Sequence, residues 1–267
     1  MVKNVIIKTM KRELNKEQFF TKPENVKKCL SLADLDEYDV IIEPSAGDGA
    51  FSKLIEGCLA MDIEPMGENI KKQDFLTFSF YKENKKVLTI GNPPYGRQSS
   101  LAVKFINKAA EFSDKIIFIL PLSFKKESMI SRLNKHIFLE RVEDLITNDF
   151  YFQDKNFTIP CAIFIFKIDK NSIRAKPKKY TTNDFSFVSK ELADDSIRRV
   201  GFYSGKLEGL NVSESSHYFI KWNNPSAKEI FKKINFTDSA SNTVGARSIS
   251  KNEIIKLYLE EINGKAD

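Results

Sequence analysis

Val40-Ile41-Ile42-Glu43-Pro44-Ser45-Ala46-Gly47-Asp48-Gly49-Ala50-Phe51 is a short apolar run that breaks into a loop carrying two glycines. Three consecutive apolar residues closed by Pro and Gly predict a strand buried on both faces that ends in a tight turn. Similar runs follow at Cys58–Ile63, Ile70–Phe75, Val87–Ile90 and Ile116–Leu120, with later strands expected at Val142–Ile146 and Ile159–Ile168. Between them, helical spacing predicts helices over Ala50–Glu56, Leu101–Phe112 and Phe124–Leu133. The link between the second and third strands is too short for a crossover helix. Strands alternating with helices imply a Rossmann-like α/β fold, a mostly parallel sheet with helices on both faces.

Ligands of open α/β sheets sit at the carboxyl ends of the strands, so the loops there carry the chemistry. Gly47 and Gly49 lie in the first such loop, where the missing Cβ lets backbone approach a ligand closely. Position 52 is Ser, so the dinucleotide-binding glycine pattern is incomplete, and no Gly-Lys-Ser/Thr follows. Asp62, at the second strand end, is placed to accept hydrogen bonds from ribose hydroxyls. Asp74-Phe75, at the third, suits the amine and ring of an adenine. Together these predict an adenosine-containing ligand that needs no pyrophosphate.

The fourth strand runs into Gly91-Asn92-Pro93-Pro94-Tyr95-Gly96. Here the sequence fits methylation of a poor nucleophile, an exocyclic amine whose lone pair is delocalised into its ring. The Asn92 side-chain oxygen and the Pro93 carbonyl can accept the two N–H bonds and draw the nitrogen towards tetrahedral geometry. Consecutive prolines fix φ near −65° and remove N–H donors, which holds those acceptors in place. Tyr95 is expected to offer a π-face to the base, with stacking worth about 1–3 kcal/mol.

Beyond residue 170 the texture changes. Lys176-Pro177-Lys178-Lys179 is basic and broken by proline, and short aromatic segments such as Phe185–Val188 and His217–Ile220 alternate with polar turns before a helix over Lys251–Glu261. The expected division is a catalytic domain over residues 1–170 and a small α+β C-terminal extension over 171–267. The net charge of +6 favours a polyanionic partner, nucleic acid. Lys176, Lys178, Lys179, Arg198 and Arg199 are the candidates for backbone contact, and Tyr218 and Trp222 are possible stacking residues. Three scattered cysteines and two histidines suggest neither a disulfide framework nor a metal site. No apolar run approaches the roughly 18–20 residues that cross a bilayer, and no signal-peptide pattern opens the sequence, so neither a membrane partner nor secretion is expected. A cytoplasmic protein is the expectation.

The chain resembles the class I S-adenosylmethionine-dependent methyltransferases, in particular the gamma-type enzymes that modify adenine at N6 in DNA. Glu43–Phe51 resembles their cofactor loop, Asp62-Ile63-Glu64-Pro65 the ribose-binding strand end, Asp74-Phe75-Leu76 the adenine-binding element, and Asn92-Pro93-Pro94-Tyr95 the catalytic loop. Gln18-Phe19-Phe20-Thr21-Lys22-Pro23-Glu24 resembles the upstream segment that reaches the methionine end of the cofactor. The resemblance implies S-adenosylmethionine held by Phe20, Thr21, Glu43, Pro44, Ser45, Ala46, Gly47, Gly49, Asp62, Ile63, Asp74, Phe75 and Asn92. It also implies a seven-stranded sheet with its last strand antiparallel, and it makes Phe157 a candidate to flank the target base. An RNA adenine methyltransferase fits the same motifs. A protein glutamine methyltransferase also uses Asn-Pro-Pro-Tyr, but carries its substrate domain ahead of the cofactor loop, whereas the additional sequence here follows it. A non-catalytic subunit that only binds nucleic acid is the remaining reading.

Overall fold

The computed structural model describes residues 20–152, 155–242 and 247–264. They divide into two compact units between Lys176 and Pro177. The division falls beyond residue 170 because Arg174 belongs to the first unit. Its guanidinium donates to the carbonyls of Ile130, Leu133, Asn134 and Ile137.

In the first unit, helix α1 (Pro23–Leu30) precedes β1 (Val40–Glu43), β2 (Leu59–Asp62), β3 (Lys71–Lys72) and β4 (Val87–Gly91). Then come α2 (Ser100–Ala109), β5 (Lys115–Pro121), the one-turn α3 (Glu127–Ile130), β6 (Ile137–Asp144), a hairpin of β7 (Asp149–Phe152) and β8 (Lys155–Thr158), and β9 (Cys161–Ile168). The seven-stranded sheet has the order β3-β2-β1-β4-β5-β9-β6. Neighbours are parallel except around β9, which runs antiparallel to β5 and β6. This is the Rossmann-like methyltransferase topology, with the order reversing between β1 and β4, where open sheets form their ligand crevice. The central strands are dry for the reason their sequences suggest: every residue of β4 is buried, as are Ile116–Pro121 in β5 and Cys161–Phe166 in β9.

Several elements are shorter than their periodicity predicts. The helix expected over Ala50–Glu56 contracts to a 3-10 turn at Ser52–Leu54. Glycines at 49 and 57 bound it, and a segment that short cannot repay helix nucleation. The third strand stops at Lys72 because Asp74 caps a 3-10 turn, its Oδ1 accepting the Leu76 N–H at 2.9 Å. Extended backbone at Lys126 splits the helix expected over Phe124–Leu133 into two single turns. The late strand β6 starts earlier than expected, at the short apolar run Ile137-Phe138-Leu139, and its charged second half ends at Asp144 on the edge of the sheet.

The second unit is a four-stranded antiparallel sheet of β10 (Phe185–Val188), β11 (Asp195–Arg198), β12 (Leu207–Glu208) and β13 (His217–Trp222), ordered β10-β13-β11-β12. Helices α4 (Pro225–Phe231), α5 (Thr237–Ser241) and α6 (Lys251–Asn263) complete it. Its own core gathers Phe185, Ile197, Ile220, Phe231, Ile254 and Tyr258. A reciprocal capping box between Ser250 and Glu253 starts α6.

Candidate active site

The carboxyl ends of β1, β2 and β4 open onto a cavity of about 530 Å³. Phe20, Thr21, Glu43, Pro44, Ser45, Ala46, Gly47, Asp62, Ile63, Asp74, Phe75 and Asn92 line it, so the structure brings these sequence candidates together. Gly49 is not among the lining residues; its N–H donates to the Ala46 carbonyl at 2.6 Å and shapes the loop from behind.

The loop after β1 owes its form to Gly47, whose φ of +55° favours glycine. The Gly47 N–H donates to Asp62 Oδ2 at 2.8 Å, and the Glu64 N–H donates to Asp62 Oδ1 at 2.8 Å. Asp62 therefore ties the first loop to the second strand end, and each oxygen keeps lone-pair capacity for a further donor. A Cβ on residue 47 would meet the Phe20 ring at 3.4 Å, a close cradle between the loop and the upstream segment.

Glu43 is buried, and its carboxylate accepts the Ser52 N–H at 2.8 Å and the Phe51 N–H at 3.4 Å. Burial pushes its pKa up to about 7 in spite of those hydrogen bonds, with Asp48 adding a smaller push in the same direction. Asp48 also lines the cavity, and its Oδ1 is buried without a hydrogen-bond partner.

Asn92 is held from three directions. Its Nδ2 donates to Thr21 Oγ1 at 3.1 Å, its Oδ1 accepts the Tyr95 hydroxyl at 2.9 Å, and its backbone carbonyl accepts from Ser45 Oγ at 3.2 Å. Pro93 is buried and outside the lining, while Pro94 lines the cavity. Tyr95 departs from expectation. Its ring is buried in the core, and its hydroxyl lies 3.4 Å from Cys161 Sγ on β9. The ring supports Asn92 from within and offers no stacking face to the cavity. Its carbonyl accepts the N–H groups of Leu101 and Ala102 and fastens the loop to α2. Directly after it, Gln98 and Ser99 adopt positive φ, a strained turn beside the cavity.

Residues that sequence reasoning missed are Asp48, Met66, Arg97, Leu101 and Phe105 on the lining, and Asn25 behind it. The buried Asn25 side chain donates to the Thr147 carbonyl and accepts the N–H groups of Ile146 and Thr147. It pins α1, and with it Thr21, onto the far end of the unit. No local signal marks it, because its partners lie more than a hundred residues away.

Other expectations fare differently. Phe157 pairs with Phe150 in the hairpin, but its side chain lies outside the described residues. Lys176, Lys178 and Lys179 are exposed. Arg198 is not available to a phosphate as expected, because it makes a two-pronged pair with Glu208 at 2.9 and 3.0 Å. Arg199 donates twice to the Ser215 carbonyl and sits over the Tyr218 ring. Trp222 packs on Phe185 and Phe231 and donates to Asp195, so it serves the core. Burial raises the thiol pKa values of Cys29, Cys58 and Cys161 to about 12. Among the described residues there is no metal-binding group of three His, Cys, Asp or Glu, and no helix is long and apolar enough to cross a membrane.

Residues 36–158 match the EDM2 methyltransferase-like domain. The protein ENHANCED DOWNY MILDEW 2 of Arabidopsis thaliana is 27% identical over 223 residues, which cover 74% of this chain and 16% of that protein. The chain thus spans a small fraction of this relative's length. Among solved structures, a Pyrococcus horikoshii protein proposed to be an RNA methyltransferase is 19% identical, with a TM-score of 0.44 over 57% of this chain and 87% of its own. The M protein of the type I restriction enzyme EcoKI is 11% identical, with a TM-score of 0.40 over 93% of this chain and 70% of its own. The domain match and the strand order agree on a class I methyltransferase-like fold.

Proposed function

We propose that the chain transfers a methyl group from S-adenosylmethionine to the exocyclic N6 amine of adenine in nucleic acid, with DNA the favoured substrate. The observation that carries the reading is Asn92 at the end of β4, its carboxamide oriented by Thr21 and Tyr95 at the wall of the cavity.

The cavity suits the cofactor chemically. Its lining holds five carboxylates (Glu43, Asp48, Asp62, Glu64 and Asp74) and one cationic side chain, Arg97. Such a wall disfavours a pyrophosphate and favours a ligand with ammonium and sulfonium charges. Asp62 keeps lone-pair capacity on both carboxylate oxygens for donors of a ligand seated there. Thr21 and Glu43 serve the methionine end, Asp62 the ribose hydroxyls and Asp74 the adenine amine, with Ile63 and Phe75 against the ring. When bound, S-adenosylmethionine supplies a methyl group already activated as a sulfonium.

The protein's task is then alignment and acceptance of developing positive charge. Asn92 Oδ1, with one lone pair given to the Tyr95 hydroxyl, turns the other to an N–H of the target amine. The Pro93 carbonyl, the second acceptor suggested by the sequence, lies outside the lining, so Asn92 Oδ1 is the acceptor that the geometry supports. Tyr95 is a positioning residue, and Phe157 remains the candidate to flank the base. A target within a duplex must be flipped out at a cost of a few kcal/mol.

The burial of Tyr95 favours a second reading, in which the chain binds cofactor and nucleic acid without transferring the methyl group. One experiment separates the readings. Protein and methyl-labelled donor are incubated side by side with single- and double-stranded DNA and RNA, and each product is digested to nucleosides. Label in N6-methyldeoxyadenosine is the expected result. Label confined to RNA adenosine moves the substrate, and no label on any nucleic acid despite measurable donor binding leaves the second reading standing.

A further inference from the structure

Between β11 and β12 the chain makes a tight turn at Gly201-Phe202-Tyr203-Ser204-Gly205, and its two aromatic rings face solvent. Phe202 is 71% exposed and Tyr203 60%, with ring centroids 5.1 Å apart and planes at 87°. Neither ring belongs to the apolar core of the second unit, so folding gains little from them. The turn beneath them is nonetheless heavily fastened. The Gly201 N–H donates to the Arg247 carbonyl, the Ser204 hydroxyl hydrogen bonds with the Gly201 and Arg247 carbonyls, and the Gly205 N–H donates to the Arg198 carbonyl. At Gly205 any Cβ would stand 2.4 Å from Phe236. An additional bridge joins Val200 to Ser248.

Two cations lie against the pair. The Arg247 guanidinium lies 4.6 Å from the Phe202 centroid and Lys206 Nζ 5.4 Å from that of Tyr203. The two segments that the bridge brings together, residues 199–207 and 247–251, carry Arg199, Lys206, Arg247 and Lys251 and no carboxylate. The next acid along the chain, Glu208, is engaged by Arg198 and His217. Exposed aromatic faces on a fastened turn, interleaved with cations, suit a nucleic-acid strand with unstacked bases: π-faces for the bases and positive charge for the phosphates.

We propose that the Phe202–Tyr203 turn is a stacking platform for unpaired bases of the nucleic-acid substrate, with Lys206 and Arg247 beside the phosphates. The inference rests on the nucleic-acid reading above and adds to it a place where the strand is held outside the catalytic cavity.

The test is fluorescence anisotropy of a labelled single-stranded oligonucleotide with the full chain, wild type against F202A/Y203A. Both residues are solvent-exposed, and an unchanged circular dichroism spectrum and thermal unfolding profile would verify that the second unit of the variant is folded. Loss of one or two stacked bases predicts affinity weakened about 10- to 100-fold. F202W/Y203W, which keeps the π-faces, is expected to restore binding. Wild-type binding with equal affinity in F202A/Y203A overturns the platform, leaves the nucleic-acid reading intact and hands the turn to a protein partner. Absence of wild-type binding to any DNA or RNA at low salt overturns both.

Discussion

Two side chains concentrate the chemistry at the residue scale. Asn92 is usable because its neighbours remove its freedom: Thr21 takes one end of the carboxamide and Tyr95 the other. The motif was legible in the sequence, but the burial of Tyr95 was not. That depends on Cys161, 66 residues downstream, which closes over the hydroxyl when β9 inserts beside β5. Glu43 carries a separate, testable consequence. Its folded pKa near 7 lies above its ordinary value of 4.5 because burial disfavours the carboxylate. The folded state thus binds the proton more tightly, and this group's contribution to stability is full below pH 4.5 and lost as pH rises through about 7. If Glu43 faces the cationic end of the cofactor, binding draws it into the ionised form. Affinity for S-adenosylmethionine should then fall as pH drops below about 7, with release of a proton on binding. Calorimetric titration in buffers of different ionisation enthalpy would detect that proton, and Glu43→Gln should flatten the pH dependence. Equal affinity at about pH 5.5 and about pH 8 would remove Glu43 from the cofactor contact.

At the scale of elements, strands buried on both faces announce themselves as unbroken apolar runs, and β4, β5 and β9 were readable for that reason. Edge strand β6 was misplaced because its apolar start, Ile137-Phe138-Leu139, is short and charged residues make up most of its second half. The third strand stopped short where a side chain captured the backbone first, as Asp74 does with the Leu76 N–H. The helix α1 illustrates what no local pattern carries. Its placement depends on Asn25 satisfying three backbone groups around residues 146–147. Asn25→Ala would leave those groups without their buried partner, at about 1–3 kcal/mol for each unsatisfied group. The expected total, allowing for relaxation, is a loss of about 2–4 kcal/mol in chemical denaturation. Weaker cofactor binding should accompany it, because α1 carries Thr21 to the cavity. A variant as stable as the wild type would show that α1 is held by other contacts.

For the molecule as a whole, an acid-lined cavity sits in a chain of net charge +6. The carboxylates suit a cationic cofactor, and the net positive charge suits the polyanionic substrate proposed above. This separation of charge is the feature that composition alone revealed only in its sum. The two units have separate cores, one around the parallel sheet and one around the antiparallel sheet. The proposed methyl transfer belongs to the first, and the proposed base platform to the second. The account stands or falls on the identity of the methylated atom. Nucleosides from DNA treated with the wild-type chain and S-adenosylmethionine should contain N6-methyldeoxyadenosine by mass spectrometry, and Asn92→Ala should reduce its rate of formation about 100- to 1,000-fold. Undiminished N6 methylation by Asn92→Ala, or a methyl group found on any other atom, would contradict it.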